Sequence, residues 1–176
     1  NATTWFNKGA ALLHLHRHEE ALSAHEQALA LDANDAMTWS NKGTALVRLN
    51  RYEEAVSAYD EALALDTNNA TAWYNKGIAL NSLKRYEEAI FAHDRALALD
   101  ANNATTWYNK GVALVHLNRH EEALSAPAQA LALDAQTATH STNKGSPLDP
   151  LNRSNETATP HPRVPPPDTT HTAASG

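Results

Sequence analysis

Apolar positions recur along this chain at helical rather than strand intervals. Trp39, Gly43 and Leu46 share one face of a helix (i, i+4, i+7), and Ala55, Tyr59, Ala62 and Leu63 share one face of the segment after it. Between the two stands Leu49-Asn50-Arg51, which leaves room only for a tight helix–helix turn. Glu53 and Glu54 open the second segment, where carboxylates complement the positive end of the helix dipole. Asn68-Asn69 follows, with side chains suited to turning the chain and capping the next helix. The pattern predicts a helical hairpin.

The hairpin is then repeated. Trp5, Trp39, Trp73 and Trp107 recur every 34 residues, each inside the same phrase: W-F-N-K-G-A-A-L, W-S-N-K-G-T-A-L, W-Y-N-K-G-I-A-L and W-Y-N-K-G-V-A-L. A second phrase keeps the register, H-E-E-A-L-S-A-H, Y-E-E-A-V-S-A-Y, Y-E-E-A-I-F-A-H and H-E-E-A-L-S-A-P, and each unit closes on A-L-A-L-D. Four units result, Ala2–Asp35, Ala36–Asn69, Ala70–Asn103 and Ala104–Thr137. A lone hairpin cannot bury its Trp and Leu residues, so the units are expected to stack. Gly43 and Ala55 then permit close approach of the two helices within a unit, and Ala62 approach to the next unit.

The fifth copy decays. Asn143-Lys144-Gly145 and Leu151-Asn152-Arg153 hold the register, but Ser141 replaces the Trp, and Pro147, Asp149 and Pro150 interrupt the first helix. Residues 138–153 are read as a degenerate repeat with a short capping helix before Pro147, and residues 154–176, rich in Pro and Thr, as an extended tail. Pro127 stands in the middle of a helix at the column of His25, Tyr59 and His93, where proline costs about 3 kcal/mol, so the fourth unit is expected to be the weakest.

These residues carry a family resemblance. The 34-residue period, with Trp39, Gly43, Ala55, Tyr59 and Ala62 in register, resembles the tetratricopeptide repeat over residues 2–137. The chain departs from that pattern at Lys42 (Leu is usual), Leu46 (Tyr is usual) and Thr67 (Pro is usual). The resemblance implies an all-α fold, a right-handed α-solenoid of stacked antiparallel helix pairs, here followed by a Pro/Thr-rich non-helical C-terminal tail. It also implies a concave groove lined by the first helix of each unit.

Composition narrows the partners. A formal net charge of −6 and the lack of a basic stripe argue against nucleic acid. No apolar run reaches the ~18 residues that span a bilayer, and no leader-like segment stands at the start. With no cysteine there are no disulfides or thiolate metal sites. No phosphate-cradling loop, thiol nucleophile or catalytic constellation is present, and no cofactor is expected. The chain is expected not to be an enzyme.

Three sets of residues are candidates for function. Asn7, Asn41, Asn75, Asn109 and Asn143 recur on the first helix, off the Trp/Gly/Leu stripe. By the resemblance they line the groove, as asparagine ladders do in the O-linked N-acetylglucosamine transferases, which grip peptide backbone. An amide suits that role because it donates to a C=O and accepts from an N–H at once; the alternative is that these amides satisfy polar groups between units. Tyr74, Tyr108, Ile78 and Val112, with Phe6, Val47 and Val115, make the same face apolar, and only Arg48, His14 and His116 are basic. No cluster of Lys and Arg is there to clamp a carboxylate, so a neutral or apolar extended peptide fits better.

The second set is His14, His16 and His18, whose i, i+4 spacing suits zinc on a continuous helix; the helix is expected to end near Leu15, so no metal site is assigned. The third is a series of N-x-Ser/Thr sequons at Asn1, Asn69, Asn103, Asn152 and Asn155, candidates for N-glycosylation. Function is therefore read as a protein-interaction scaffold that binds an extended peptide or partner helix. The rival is a fibre-forming subunit, a homo-oligomer stacking head to tail with its tail on a neighbour. The compartment stays open, cytoplasmic by family habit or extracellular if the sequons carry glycans.

Overall fold

The computed structural model describes residues 1–125. They belong to one compact unit, Asn1–His140; the other, Ser141–Gly176, falls outside the described residues, as do Pro127, the degenerate repeat and the tail. Seven helices run in order: α1 (Ala2–His14), α2 (His18–Leu31), α3 (Ala36–Arg48), α4 (Tyr52–Leu65), α5 (Ala70–Ser82), α6 (Tyr86–Leu99) and α7 (Ala104–His116). An eighth opens at His120. The hairpins are α1/α2, α3/α4 and α5/α6, and each second helix packs on the first helix of the next unit. The chain is an all-α solenoid.

Each boundary has a local cause. Asn1, Asp35, Asn69 and Asn103 are the N-caps of α1, α3, α5 and α7, each accepting a backbone N–H of the first turn at 2.8–3.0 Å. Every first helix ends in a Schellman motif. In the second unit Arg51 N–H donates to Leu46 O (2.9 Å) and Asn50 N–H to Val47 O (3.0 Å), with Asn50 left-handed at φ 59°. His16, Lys84 and Asn118 repeat that left-handed turn at φ 57–60°. Residues 17, 51, 85 and 119 are arginines that fork onto the glutamate three positions on, as Arg51 does with Glu54 at 2.7 Å. Each fork holds its glutamate below the usual carboxylate range.

The core lies inside the hairpins. Leu46, Leu80 and Leu114 of the first helices are buried with Ala21, Ala55 and Ala89 of the second. A Cβ on Gly43 would stand 2.7 Å from Tyr59 Cε1, and one on Gly9 2.6 Å from His25 Cε1. Glycine here is the seat for a ring arriving from the other helix. The same seat at Gly77 takes His93.

Tryptophan makes the junction between units. Trp39, Trp73 and Trp107 are half-buried, and each indole N–H donates to a carbonyl of the preceding turn: Ala33 O (2.8 Å), Thr67 O (3.0 Å) and Ala101 O (3.0 Å). Lys42, Lys76 and Lys110 each lie 5.3 Å from the centre of that indole and reach back to an acid on the previous unit's second helix. Those acids are Glu26 (3.3 Å), Asp60 (2.5 Å) and Asp94 (2.6 Å). The lysine that stands where the family has leucine thus clips one hairpin to the next. Successive first helices also touch, α1 to α3 to α5 to α7, whereas among the described residues successive second helices do not, so the described stack is tighter along its first helices.

Candidate functional site

On α3 a second stripe, Met37, Asn41, Thr44 and Arg48, runs at the i, i+4, i+7, i+11 spacing on the side away from the core stripe. Its counterparts are Thr3, Asn7, Ala10 and His14 on α1, Thr71, Asn75, Ile78 and Ser82 on α5, and Thr105, Asn109, Val112 and His116 on α7. Because the first helices are the ones in mutual contact, these stripes lie side by side along the tighter edge of the stack.

The asparagines do not share one environment. Asn7 is exposed, and Asn41 and Asn75 are half-buried; none of the three amides has a hydrogen-bond partner among the described residues. Asn109 is 6% exposed, and its Nδ2 donates to Thr105 O at 3.0 Å, one turn back on its own helix. That amide is engaged within the helix. Asn143 lies outside the described residues. Of the apolar candidates, Tyr74, Ile78 and Val112 are half-buried and Tyr108 is 57% exposed.

Rings stand behind this wall. Tyr59 is fully buried, and its hydroxyl donates to Thr44 Oγ1 (3.3 Å), whose own hydrogen goes to Ser40 O (3.1 Å). Burial pushes the Tyr59 phenol well above its usual range. His25 and His93 fill the same column, fully buried, 6.1 Å from the Phe6 ring and 6.2 Å from the Tyr74 ring. Burial lowers both imidazoles to about 4; Asp35 opposes this at His25, while Lys110 adds to it at His93. Both are neutral near pH 7.

Asn81 is a polar residue on the first-helix wall that sequence reasoning missed. Its Nδ2 contacts His93 Nε2 at 3.3 Å and donates to Asn109 O of the next unit at 3.2 Å. One amide group carries two hydrogens and here meets two acceptors, which assigns the imidazole proton to Nδ1. The signal was available: Asn81 interrupts a column otherwise held by Leu13, Val47 and Val115.

The other candidates take the following places. Sequon residues Asn1, Asn69 and Asn103 are the helix caps described above, while Asn152 and Asn155 lie outside the described residues. α1 stops at His14, and the His16 and His18 rings meet edge to face at 5.9 Å. Among the described residues no group of three or more metal-ligating side chains is placed to hold an ion, and no helix is long and apolar enough to cross a membrane.

Comparison with known proteins agrees with this architecture. Two family models described as tetratricopeptide repeat match the chain, one at residues 1–68 and the other at 40–104 and 92–138. No curated protein matches it. Among solved structures it is similar to MamA (TM-score 0.77, 21% identity, 80% of this chain and 82% of that one). MamA from Desulfovibrio magneticus RS-1 is also similar (TM-score 0.74, 23% identity, 77% of each chain). So is YrrB, described as a TPR protein with an unusual peptide-binding site (TM-score 0.71, 23% identity, 78% of this chain and 71% of that one).

Proposed function

Because this chain belongs to the tetratricopeptide repeat family, we propose that its protein-interaction scaffold holds an extended peptide along the first-helix wall, gripping backbone more than side chains. The carrying observation is the set Asn7, Asn41 and Asn75, spaced by 34 residues on neighbouring helices, with amides that no described residue engages. An extended chain rises ~3.3 Å per residue and offers its N–H and C=O groups at regular steps, which a regular row of amides can meet. Tyr108, Ile78 and Val112 line the same wall and supply apolar contact. The unusual peptide-binding site described for YrrB is a precedent within the fold.

Asn109 has a different part in this reading. Its amide is committed to Thr105 O and its carbonyl to Asn81, so it fixes the junction between α5 and α7. The ladder proper runs over Asn7, Asn41 and Asn75. Peptides selected by display on the wild-type protein provide the ligands. Calorimetry with Asn41→Ala/Asn75→Ala should show about ten-fold weaker binding for all of them, the loss of roughly two hydrogen bonds. Tyr108→Ala should instead weaken some peptides and spare others. Unchanged affinity in the double variant removes the ladder.

A further inference from the structure

The opposite flank of the second hairpin carries a feature that the peptide groove does not use. Trp39, Lys42 and Leu46 of α3 face Glu54, Ser57, Ala58 and Glu61 of α4 across a shallow, open cavity of about 270 Å³. At about 100° per residue the Trp39/Lys42/Leu46 stripe points away from the Asn41/Thr44/Arg48 stripe, so the two faces are separate.

The third hairpin shows what such a slot accepts. Its equivalent of Ser57 is Phe91, and its equivalent of Glu61 is Arg95. Phe91 meets the Trp73 ring edge to face at 5.9 Å and 81°. Arg95 lies 5.6 Å from the centre of the same indole, in addition to Lys76 at 5.3 Å. The Trp73 indole therefore meets an aromatic ring and a second cation from its own chain. Among the described residues, the Trp39 ring has Lys42 alone. Serine at position 57 leaves the aromatic place empty, and at position 61 a carboxylate stands where the third hairpin has the guanidinium.

The charges around the slot point the same way. Lys42 is paired with Glu26, and Glu54 with Arg51, whereas Glu61 forms no ion pair among the described residues. An indole surface beside an unpaired carboxylate is the chemistry that recognises a guanidinium. The first hairpin lacks it, since its position equivalent to Glu61 is Gln27.

We propose that the Trp39–Glu61 slot is a second docking site, which takes an arginine side chain with an adjacent aromatic ring from a partner peptide. The guanidinium lies over Trp39 and pairs with Glu61, while the ring occupies the place that Ser57 leaves open. The partner supplies from outside what Phe91 and Arg95 supply internally one unit later.

Nα-benzoyl-arginine amide is a probe that carries both groups. Its binding is read from the indole N–H resonances of the ¹⁵N-labelled protein, with Trp39 assigned through Trp39→Phe. The Trp39 signal should move saturably, with a dissociation constant on the order of a millimolar for so small a ligand on an open surface. Nα-benzoyl-citrulline amide, which lacks the charge, should move it little. Glu61→Gln should weaken the probe about three-fold, the range of one exposed ion pair. Ser57→Phe/Glu61→Arg, which copies the third hairpin, should abolish the shift. Asn41→Ala/Asn75→Ala should leave it intact, so failure here and failure of the groove are separable. An unmoved Trp39 signal at ten times that concentration overturns the site, as does a shift that survives the double substitution.

Discussion

At position 93 an imidazole is enclosed where position 59 holds a phenol, and the difference has a pH consequence. Tyr59 is neutral at every physiological pH. His25 and His93 stay neutral into the mildly acid range because burial lowers them to about 4, below the ~6.5 of an unfolded histidine. The unfolded chain thus binds more protons between these values, so stability is full above about pH 7 and falls as pH drops through the window. At about pH 5 the loss is about 2 kcal/mol per histidine. Urea titrations at pH 7.5 and about pH 5 should show it, and His25→Tyr/His93→Tyr should remove most of the difference. The glycines opposite these rings follow from the same contact. Gly43→Ala gains about 1 kcal/mol of helix propensity but drives a methyl group to 2.7 Å from Tyr59 Cε1, an overpacking of about 1 to 3 kcal/mol. The ring is fully buried on a packed helix and has nowhere to move, so the variant should be net destabilised by about 1 kcal/mol in chemical denaturation. The sequence marks this column clearly, because glycine and a ring recur at a fixed offset. It hides that the imidazoles are sealed from water.

Among the elements, the first helices stop by a shared device and the residues at the stop vary. Asn50 and Asn118 take the left-handed conformation at modest cost, whereas Lys84 at φ 60° bears the full side-chain penalty of about 1 to 2 kcal/mol. Replacing Lys84 with glycine relieves that strain and returns about 0.5 to 1 kcal/mol to the entropy of the unfolded chain. A net gain of about 0.5 kcal/mol, seen as a higher Tm in calorimetry, is expected. Helix ends were legible in the sequence to within a residue, because Leu-Asn-Arg and Asn-Asn carry turn and capping chemistry. The acid that completes each lysine clip was not. Lys42 read as a departure from the family at a position that should be apolar, and its partners Trp39 and Glu26 lie on two different hairpins. A pattern read within one unit cannot show a bond between units. The asparagine row shows the same limit, since equal spacing implied equal roles while the structure commits Asn109 to Thr105 and gives Asn41 no partner among the described residues.

At the scale of the whole molecule, no contact among the described residues reaches beyond the neighbouring hairpin, so stability is expected to behave as a sum over units and junctions. Removal of residues 36–69 tests this. Lys76 would then meet Glu26 in place of Asp60, and Trp73 would find the Ala33 carbonyl in place of Thr67. The shortened chain should keep helical circular dichroism and cooperative melting at a lower Tm; loss of cooperativity would show longer-range coupling than the neighbour contacts contain. The recurring junction also bears on how such a protein arises. An indole, a lysine and an acid meet in the same way three times, so coding segments that recombine out of alignment by whole units rejoin into a working seam. The array can therefore lengthen or shorten in single genetic events, and its reach along a partner can change before any individual contact does.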